Sequence, residues 1–429
     1  MARSRWSVGL AAASVVVAMT AAACGGGSDN GNSSGGSTKL SGTGPFTLVT
    51  GKDTSGTLQA QVDVWNKAHP NEKATIIELP EDADSQRQQM VTNLTAKSDK
   101  YDILNVDVVW TPEFAKHGWI VPLDKSAFPL DKYLKGPVAS ATFEGQLYAA
   151  PYVSDGGLLY YRKDLLQQAG ISDPPSTWQE LQSDCQKVNQ KTKINCYAGQ
   201  FFKYEGLTVN FAEAVNSAGG KILDDNGKPA LDQKAVDGLT FLVNGFKQGY
   251  IPKDAITYKE EESRRAFQTG KLLFLRNWPY VYALASGKDS QVAGKFAVAP
   301  LPGMSGPGVS SLGGHNLALS KYSKHQKSAL DFIKFFTSHS FEKQNLQKNS
   351  LAPVWADLYD DPALVKQFPY LPVLKKSIDG AIPRPQTPYY QQVTQAIEND
   401  AYSALQGSKS PQAAIDDLKS QLSDIGSGG

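Results

Sequence analysis

Residues 101–117 read YDILNVDVVWTPEFAKH. The apolar run 101–106 is a strand, and Asp107 follows it directly. A short helix over 111–117 comes next. Pro112 sits in its first turn, where a missing N–H costs nothing, and Glu113 sits near its positive end. The same order occurs twice upstream. Residues 46–50 (FTLVT) are a strand before a helix over 57–69 that sets Leu58, Val62 and Trp65 on one face. Residues 74–79 (ATIIEL) alternate as a strand before a helix over 84–96, with Ser85 as its cap. Three strand–helix units in succession predict an α/β fold with a mostly parallel sheet. Ligands of such sheets sit beyond the carboxyl ends of the strands, which is where Asp107 and Trp110 fall.

Downstream, residues 147–152 and 158–161 are strands, and VSDGG (153–157) between them reads as a flexible turn. Helices are predicted over 178–189, 207–217, 233–247 and 257–269. The stretch 266–283, AFQTGKLLFLRNWPYVYA, ends a helix at Gly270, runs through a buried strand at 272–275 and closes on Arg276-Asn277-Trp278-Pro279-Tyr280. Pro279 stops the ladder there. Trp278 reads either as a core ring under a loop or as a ring presented to a ligand. Strands at 296–301 and 312–319 and helices at 325–338, 390–405 and 411–425 complete the chain.

A length of 429 residues suggests two domains, and 41% apolar with 20% charged residues is ordinary for a globular chain. The 43 basic and 42 acidic residues leave a net charge of +1, which gives no electrostatic case for nucleic acid. Arg3 and Arg5 precede an Ala/Val-rich run over 8–23, so residues 1–23 are a signal peptide and too short an apolar run to span a membrane. Ala21-Ala22-Ala23-Cys24 resembles a bacterial lipobox, with Ala21 where that pattern usually carries Leu; the resemblance implies lipidation of Cys24. Residues 24–44 then form a Gly/Ser/Asn-rich tether with an r.m.s. reach of roughly 25 Å. The expected location is outside the cell, lipid-anchored on the outer face of the cytoplasmic membrane, with the lipid as the sole membrane contact. Cys185 and Cys196 remain as an even pair in a disulfide-permissive compartment and suggest one bridge. A zinc site is disfavoured because there is no CxxC and the five His are scattered.

Several dispersed segments carry a resemblance that runs from about Phe46 to the C-terminus. They are Gln86-Arg87-Gln88, Asp107-Val108-Val109-Trp110, GLLYYRKDL (157–165), Tyr204-Glu205-Gly206-Leu207, Arg276-Asn277-Trp278-Pro279-Tyr280, Leu312-Gly313-Gly314-His315 and Ile382-Pro383-Arg384-Pro385. In order and spacing they are similar to the extracellular solute-binding lipoproteins of sugar ABC importers, and within them to the trehalose/maltose-binding subgroup. The resemblance implies an α/β, two-lobed periplasmic-binding-protein fold of type II-like architecture, with discontinuous lobes joined by a hinge. The N-terminal lobe is expected at 45–151 plus 303–352 and the C-terminal lobe at 152–302 plus 353–429. Chain crossings then fall near Pro151, Pro302 and Pro353.

The same resemblance implies the site. Arg87 and Asp107 match an Arg and an Asp that bond sugar hydroxyls, and Asp155 matches a cleft Asp. Such groups suit a sugar because a carboxylate accepts and a guanidinium donates in fixed directions. Trp278 matches the ring platform for a pyranose face, extended by Tyr280. Gly313 and Gly314 match a pair whose backbone approaches the sugar, and His315 stands where relatives often carry Trp. Arg384 matches a cleft Arg between prolines, with Tyr389 and Tyr390 following on the same wall. Glu260 or Glu261 matches an acidic cleft residue. An acid near the first strand of relatives aligns near Gly56, where Asp53 is the nearby acid. Without the resemblance, Arg87 reads as a surface arginine, Asp107 as a helix N-cap and Asp155 as a turn former.

The expected function is reversible capture of an α-glucoside disaccharide, trehalose or maltose, by hinge closure and delivery to ABC permease subunits. The chain is read as a monomer without cofactor, metal or catalysis. The rivals are a binding protein for another solute class and a secreted glycoside hydrolase, which needs an acid/base carboxylate pair. Flanking Arg87 and Arg384 argue against the hydrolase by keeping nearby acids ionised.

Overall fold

The computed structural model describes residues 39–427. The expected signal peptide, Cys24 and most of the expected tether lie outside them. β1 (Phe46–Gly51), β2 (Ala74–Leu79) and β3 (Ile103–Asp107) pair in parallel, with β1 in the middle. A short hairpin of β4 (Thr142–Phe143) and β5 (Gln146–Leu147) precedes β6 (Ala149–Gly156) and β7 (Leu158–Tyr161). β8 (Asn195–Ala198), β9 (Leu272–Asn277), β10 (Ala297–Ala299), β11 (Ser311–Leu319) and β12 (Ile382–Pro383) follow.

The strands form two sheets. In the first, β11 runs antiparallel to β3 on one side and to β6 on the other, and its first residues pair in parallel with β12. The second has the order β10-β7-β9-β8. One core gathers around the first sheet, with Val49, Leu104, Phe114, Phe332 and Phe336 fully buried. The other gathers around the second, with Leu158, Phe211, Phe267, Leu275 and Leu374. The fold is thus α/β and two-lobed, helices covering both sheets. Only Gly157 separates β6 of the first sheet from β7 of the second.

Four differences from the sequence reading have physical causes. Residues 153–156 are not a turn: Val153, Ser154 and Asp155 pair with His315, Gly314 and Gly313, so ladder bonds to β11 override the local turn preference of Asp and Gly. β9 continues two residues past Leu275, because Arg276 and Asn277 have buried partners for their polar ends. The helix Ala83–Thr95 is capped by Asp82, which accepts from the Ser85 N–H at 2.9 Å, and not by Ser85. β8 and the helices His339–Asn349, Pro362–Gln367 and Leu371–Asp379 are additional elements. Cys185, in the helix Trp178–Asn189, is bonded to Cys196 on β8 with their Cα atoms 5.5 Å apart.

Candidate functional site

A cavity of about 480 Å³ opens beyond the carboxyl ends of β1 and β3 and is lined by strands of the first sheet and by helices and loops that pack around the second. Its volume falls within the range of roughly 300–1,000 Å³ usual for small-molecule sites. The first sheet supplies one wall through its register: Asp107 of β3 stands beside His315 of β11, and Gly313 beside Asp155 of β6. The second wall holds Glu260 and Glu261 at the start of the helix Glu260–Gln268, and Trp278 and Tyr280 just past β9. Arg384, just past β12, reaches between them.

Trp278 is partly exposed on the cavity wall rather than sealed in a core. One ring face is covered: the Arg276 guanidinium carbon lies 3.9 Å from its centre. Arg276 is 1% exposed and forks onto Glu213, Nε to Oε2 at 2.7 Å and Nη2 to Oε1 at 2.6 Å. Glu213 also accepts from the Ser311 N–H at 3.1 Å, at the start of β11. Ring, guanidinium, carboxylate and the strand that joins the sheets are therefore one connected unit.

Gly313 and Gly314 are demanded by their neighbours. A Cβ on Gly313 would lie 2.7 Å from the Trp278 ring. One on Gly314, whose φ is +110°, would lie 2.0 Å from the Val153 carbonyl oxygen. Both glycines line the cavity as well.

Arg384 is 2% exposed and bridges the two walls. Its Nη2 donates to Asp107 at 2.8 Å and its Nη1 to Glu205, while its Nε has no hydrogen-bond partner. Asp107 also accepts from the Val109 N–H at 3.1 Å, so it holds the local turn and the guanidinium together. Glu205, at the first turn of the helix Glu205–Ser217, accepts in addition from the Tyr390 and Thr394 hydroxyls. Its own N–H donates to Asp84 at 3.3 Å.

The other acids differ in how much of them is free. Glu260 accepts from the Tyr204 hydroxyl at 2.6 Å, and Glu261 is held by Arg264 and by the Tyr280 hydroxyl at 2.8 Å. Both line the cavity. The Asp155 carboxylate makes no hydrogen bond among the described residues. Burial pushes its pKa up to about 7, with Arg276 pulling it down and Asp107 adding to the rise. Burial also lowers the pKa of His315, which is therefore a neutral imidazole at pH 7.

The structure leaves two expected contacts off the cavity wall. Arg87 is neither on a surface nor on the lining: it is buried and forks onto Glu113, Nε to Oε2 at 2.9 Å. Tyr389 is 37% exposed at the start of the helix Tyr390–Leu405, and Tyr390 is buried against Glu205. Trp110 is a core ring, stacked on Phe114. Asp53 does line the cavity, but its carboxylate is occupied by the N–H groups of Ser55 and Leu58, each at 2.9 Å. Sequence reading assigned no role to Tyr204 and Glu205, although it quoted both. An acid at the head of an apolar helix, directly after an aromatic, was the available signal.

Two lobes around an open cavity, with a stacked ring, a free carboxylate and a bridging guanidinium on its walls, define a protein built to receive a small polar ligand. The chain belongs to the bacterial extracellular solute-binding protein family, whose model matches residues 51–343. It is 35% identical over 376 residues to a probable ABC transporter-binding protein of Deinococcus radiodurans, covering 85% of this chain and 89% of that one. A mannitol-binding protein of Pseudomonas aeruginosa is 25% identical over 310 residues, 69% of each chain. Among solved structures, maltose-bound T. maritima MalE3 superposes with a TM-score of 0.85 at 33% identity, covering 88% of this chain and 98% of that one. No helix among the described residues is long and apolar enough to cross a membrane.

Proposed function

We propose that this chain is the sugar-binding component of an ABC importer and captures an α-glucoside disaccharide, maltose or trehalose, between its lobes. The observation that carries this reading is the partly exposed Trp278 ring on one cavity wall and the unpartnered Asp155 carboxylate on the other, brought together at Gly313. A pyranose offers that pair an apolar C–H face and a hydroxyl edge. The Arg384 Nε is a further free donor, and neutral His315 offers both a donor and an acceptor. The maltose-bound T. maritima structure supports an α-glucoside, whereas the Pseudomonas relative binds mannitol, so the choice of sugar is the point under test.

Ligand binding shifts an open–closed equilibrium by whatever it binds better in the closed form. Residues 45–151 plus 303–352 are assigned to one lobe and 152–302 plus 353–429 to the other; the two sheets and two cores support two lobes, with β6 running on to Gly156 and β12 pairing with β11 in the first sheet. The closed body, held near the membrane by lipid on Cys24, presents itself to the permease subunits as a monomer. Isothermal titration with maltose, trehalose, mannitol and a dipeptide tests the reading. Saturable heat with an α-glucoside is expected; heat with the dipeptide alone would sink it.

One observation favours the hydrolase rival. The arginine argument against it does not hold for Asp155, since Arg87 is committed to Glu113 and Asp155 titrates at about 7. Incubation with maltose and trehalose separates the readings, and a binding protein releases no glucose.

A further inference from the structure

The lobes also meet through three acids, of which Asp84 and Glu398 do not line the cavity. Asp84 stands in the first turn of the helix Ala83–Thr95, which enters the core of the first sheet through Met90 and Leu94. Glu205 opens the helix Glu205–Ser217, and Glu398 lies inside the helix Tyr390–Leu405. These two helices enter the core of the second sheet through Phe211 and Ile397. One carboxylate oxygen from each acid lies within 4.8 Å of the other two, and the Glu205 N–H donates to Asp84 at 3.3 Å.

Ionising all three would leave their hydrogen bonds short of protons. Thr394 Oγ1 lies 2.7 Å from Glu205 Oε2, 3.0 Å from Glu398 Oε1 and 2.7 Å from Thr208 Oγ1. A hydroxyl has one proton to give and can accept twice. Thr394 therefore donates to one carboxylate only, and the other reaches it by donating a proton of its own. The cations that face the trio do not fill that need. Arg384 is divided between Glu205 and Asp107, Arg87 forks onto Glu113, Lys259 lies 3.5 Å from Asp82, and Lys203 is exposed. Asp82 faces Asp84, while Asp107 and the Tyr390 hydroxyl face Glu205. Burial pushes Glu398 up to about 8, with Asp84 and Glu205 adding to the rise.

We propose that closing the lobes takes up a proton from solvent at this trio: the first lobe carries the Asp84 carboxylate against Glu205 and Glu398, which then hold a proton between them, so that solute capture is coupled to proton binding. The proposal rests on the solute-binding reading above and adds a regulation to it. A proton held more tightly in the closed form than in the open form is bound on closure. Solute affinity is therefore full at low pH and is lost as pH rises through about 8.

Calorimetric titration of the full chain with maltose at about pH 8, in phosphate and in Tris, tests it, because the two buffers release a proton with very different heats. The expected result is uptake of about 0.4 proton per bound sugar, with affinity about threefold or more weaker at about pH 8.5 than at about pH 6.5. Asp84→Asn removes the charge that arrives on closure and should cut the uptake to below about 0.1 proton. Glu398→Gln removes the seat of the proton, should do the same, and serves if the first variant does not fold. Equal heats in the two buffers overturn the latch and leave the sugar reading standing. Unchanged uptake in either folded variant also overturns it and assigns the proton to Asp155 on the cavity wall. Absence of heat with maltose, trehalose and mannitol alike overturns both readings.

Discussion

The guanidinium carbon of Arg276 lies over one face of the Trp278 ring, 3.9 Å from its centre, and the same guanidinium forks onto Glu213. Glu213 in turn holds the first residue of β11, and a Cβ on Gly157, between β6 and β7, would lie 2.8 Å from its Oε1 and 2.9 Å from Arg276 Nη2. The ring that faces the cavity thus rests on the group that organises two of the chain connections between the sheets. Removing one member of a buried ion pair leaves the other charge uncompensated and costs about 3–5 kcal/mol. Glu213→Gln should therefore lower stability by that order in chemical denaturation and weaken sugar binding as well. A variant as stable as the parent would show that Gln200, which also accepts from Arg276 at 3.0 Å, suffices to hold the guanidinium.

Trp278→Ala separates the platform from the core. The ring is partly exposed and its underside is a guanidinium, so its loss opens little of the apolar core. Affinity should fall by about 2–4 kcal/mol, the scale of an interface hot spot. The thermal midpoint should change far less than for Glu213→Gln. Unchanged affinity in calorimetry would show that the sugar does not use this face.

The adjacent glycines should fail in different ways. Gly314→Ala meets a backbone carbonyl at 2.0 Å in a conformation with φ of +110°, and neither can yield without parting β6 from β11. A residue forced into such a conformation costs about 1–3 kcal/mol before the clash is counted. Gly313→Ala meets the edge of the Trp278 ring at 2.7 Å, and a side chain can move. We expect Gly314→Ala to lower the melting temperature strongly and Gly313→Ala mainly to lower affinity, as measured by thermal unfolding and titration on the same preparations.

What was legible in the sequence was what local pattern encodes. β2 matches residues 74–79, where Thr75, Ile76 and Ile77 are β-branched, and the helix Trp178–Asn189 follows from its periodicity and its Thr177–Glu180 capping box. What was not legible depends on distant partners. Asp155 looks like a turn residue until β11, more than 150 residues later, pairs with its strand. Arg87 matches a sugar contact by motif, yet Glu113, 26 residues on, takes two of its three guanidinium nitrogens. The role of Glu205 is set by Arg384 and Tyr390, 179 and 185 residues away. Trp278 was ambiguous for the same reason, since only the stacking of Arg276 and the approach of Gly313 place its free face.

A last prediction concerns pH. Burial raises the carboxyl pKa of Asp155 to about 7, of Glu205 to about 7 and of Glu398 to about 8. Each faces further acids: Asp155 faces Asp107, Glu205 faces Asp107 and Asp84, and Glu398 faces Asp84 and Glu205. Arg276, Arg384 and Lys203 oppose the rise without cancelling it. A raised carboxyl pKa means that the folded chain holds the proton more tightly than the unfolded chain, where such groups titrate near about 4. The stabilisation is therefore complete below about pH 4 and is lost as pH rises through 7 to 8. Acids with lowered pKa, such as Asp82 and Glu261, act in the opposite sense and cost stability only as pH falls toward their own range. The ligand-free protein should thus melt higher near pH 5.5 than near pH 8.5. Glu398→Gln keeps that position neutral at both, and its amide N–H can donate to the Thr394 hydroxyl oxygen, which lies 3.0 Å from Glu398 Oε1. It should raise the melting temperature at pH 8.5, leave it nearly unchanged at pH 5.5, and so flatten the slope. An identical slope in parent and variant would assign the pH dependence to Asp155 and Glu205 instead, which Asp155→Asn then tests.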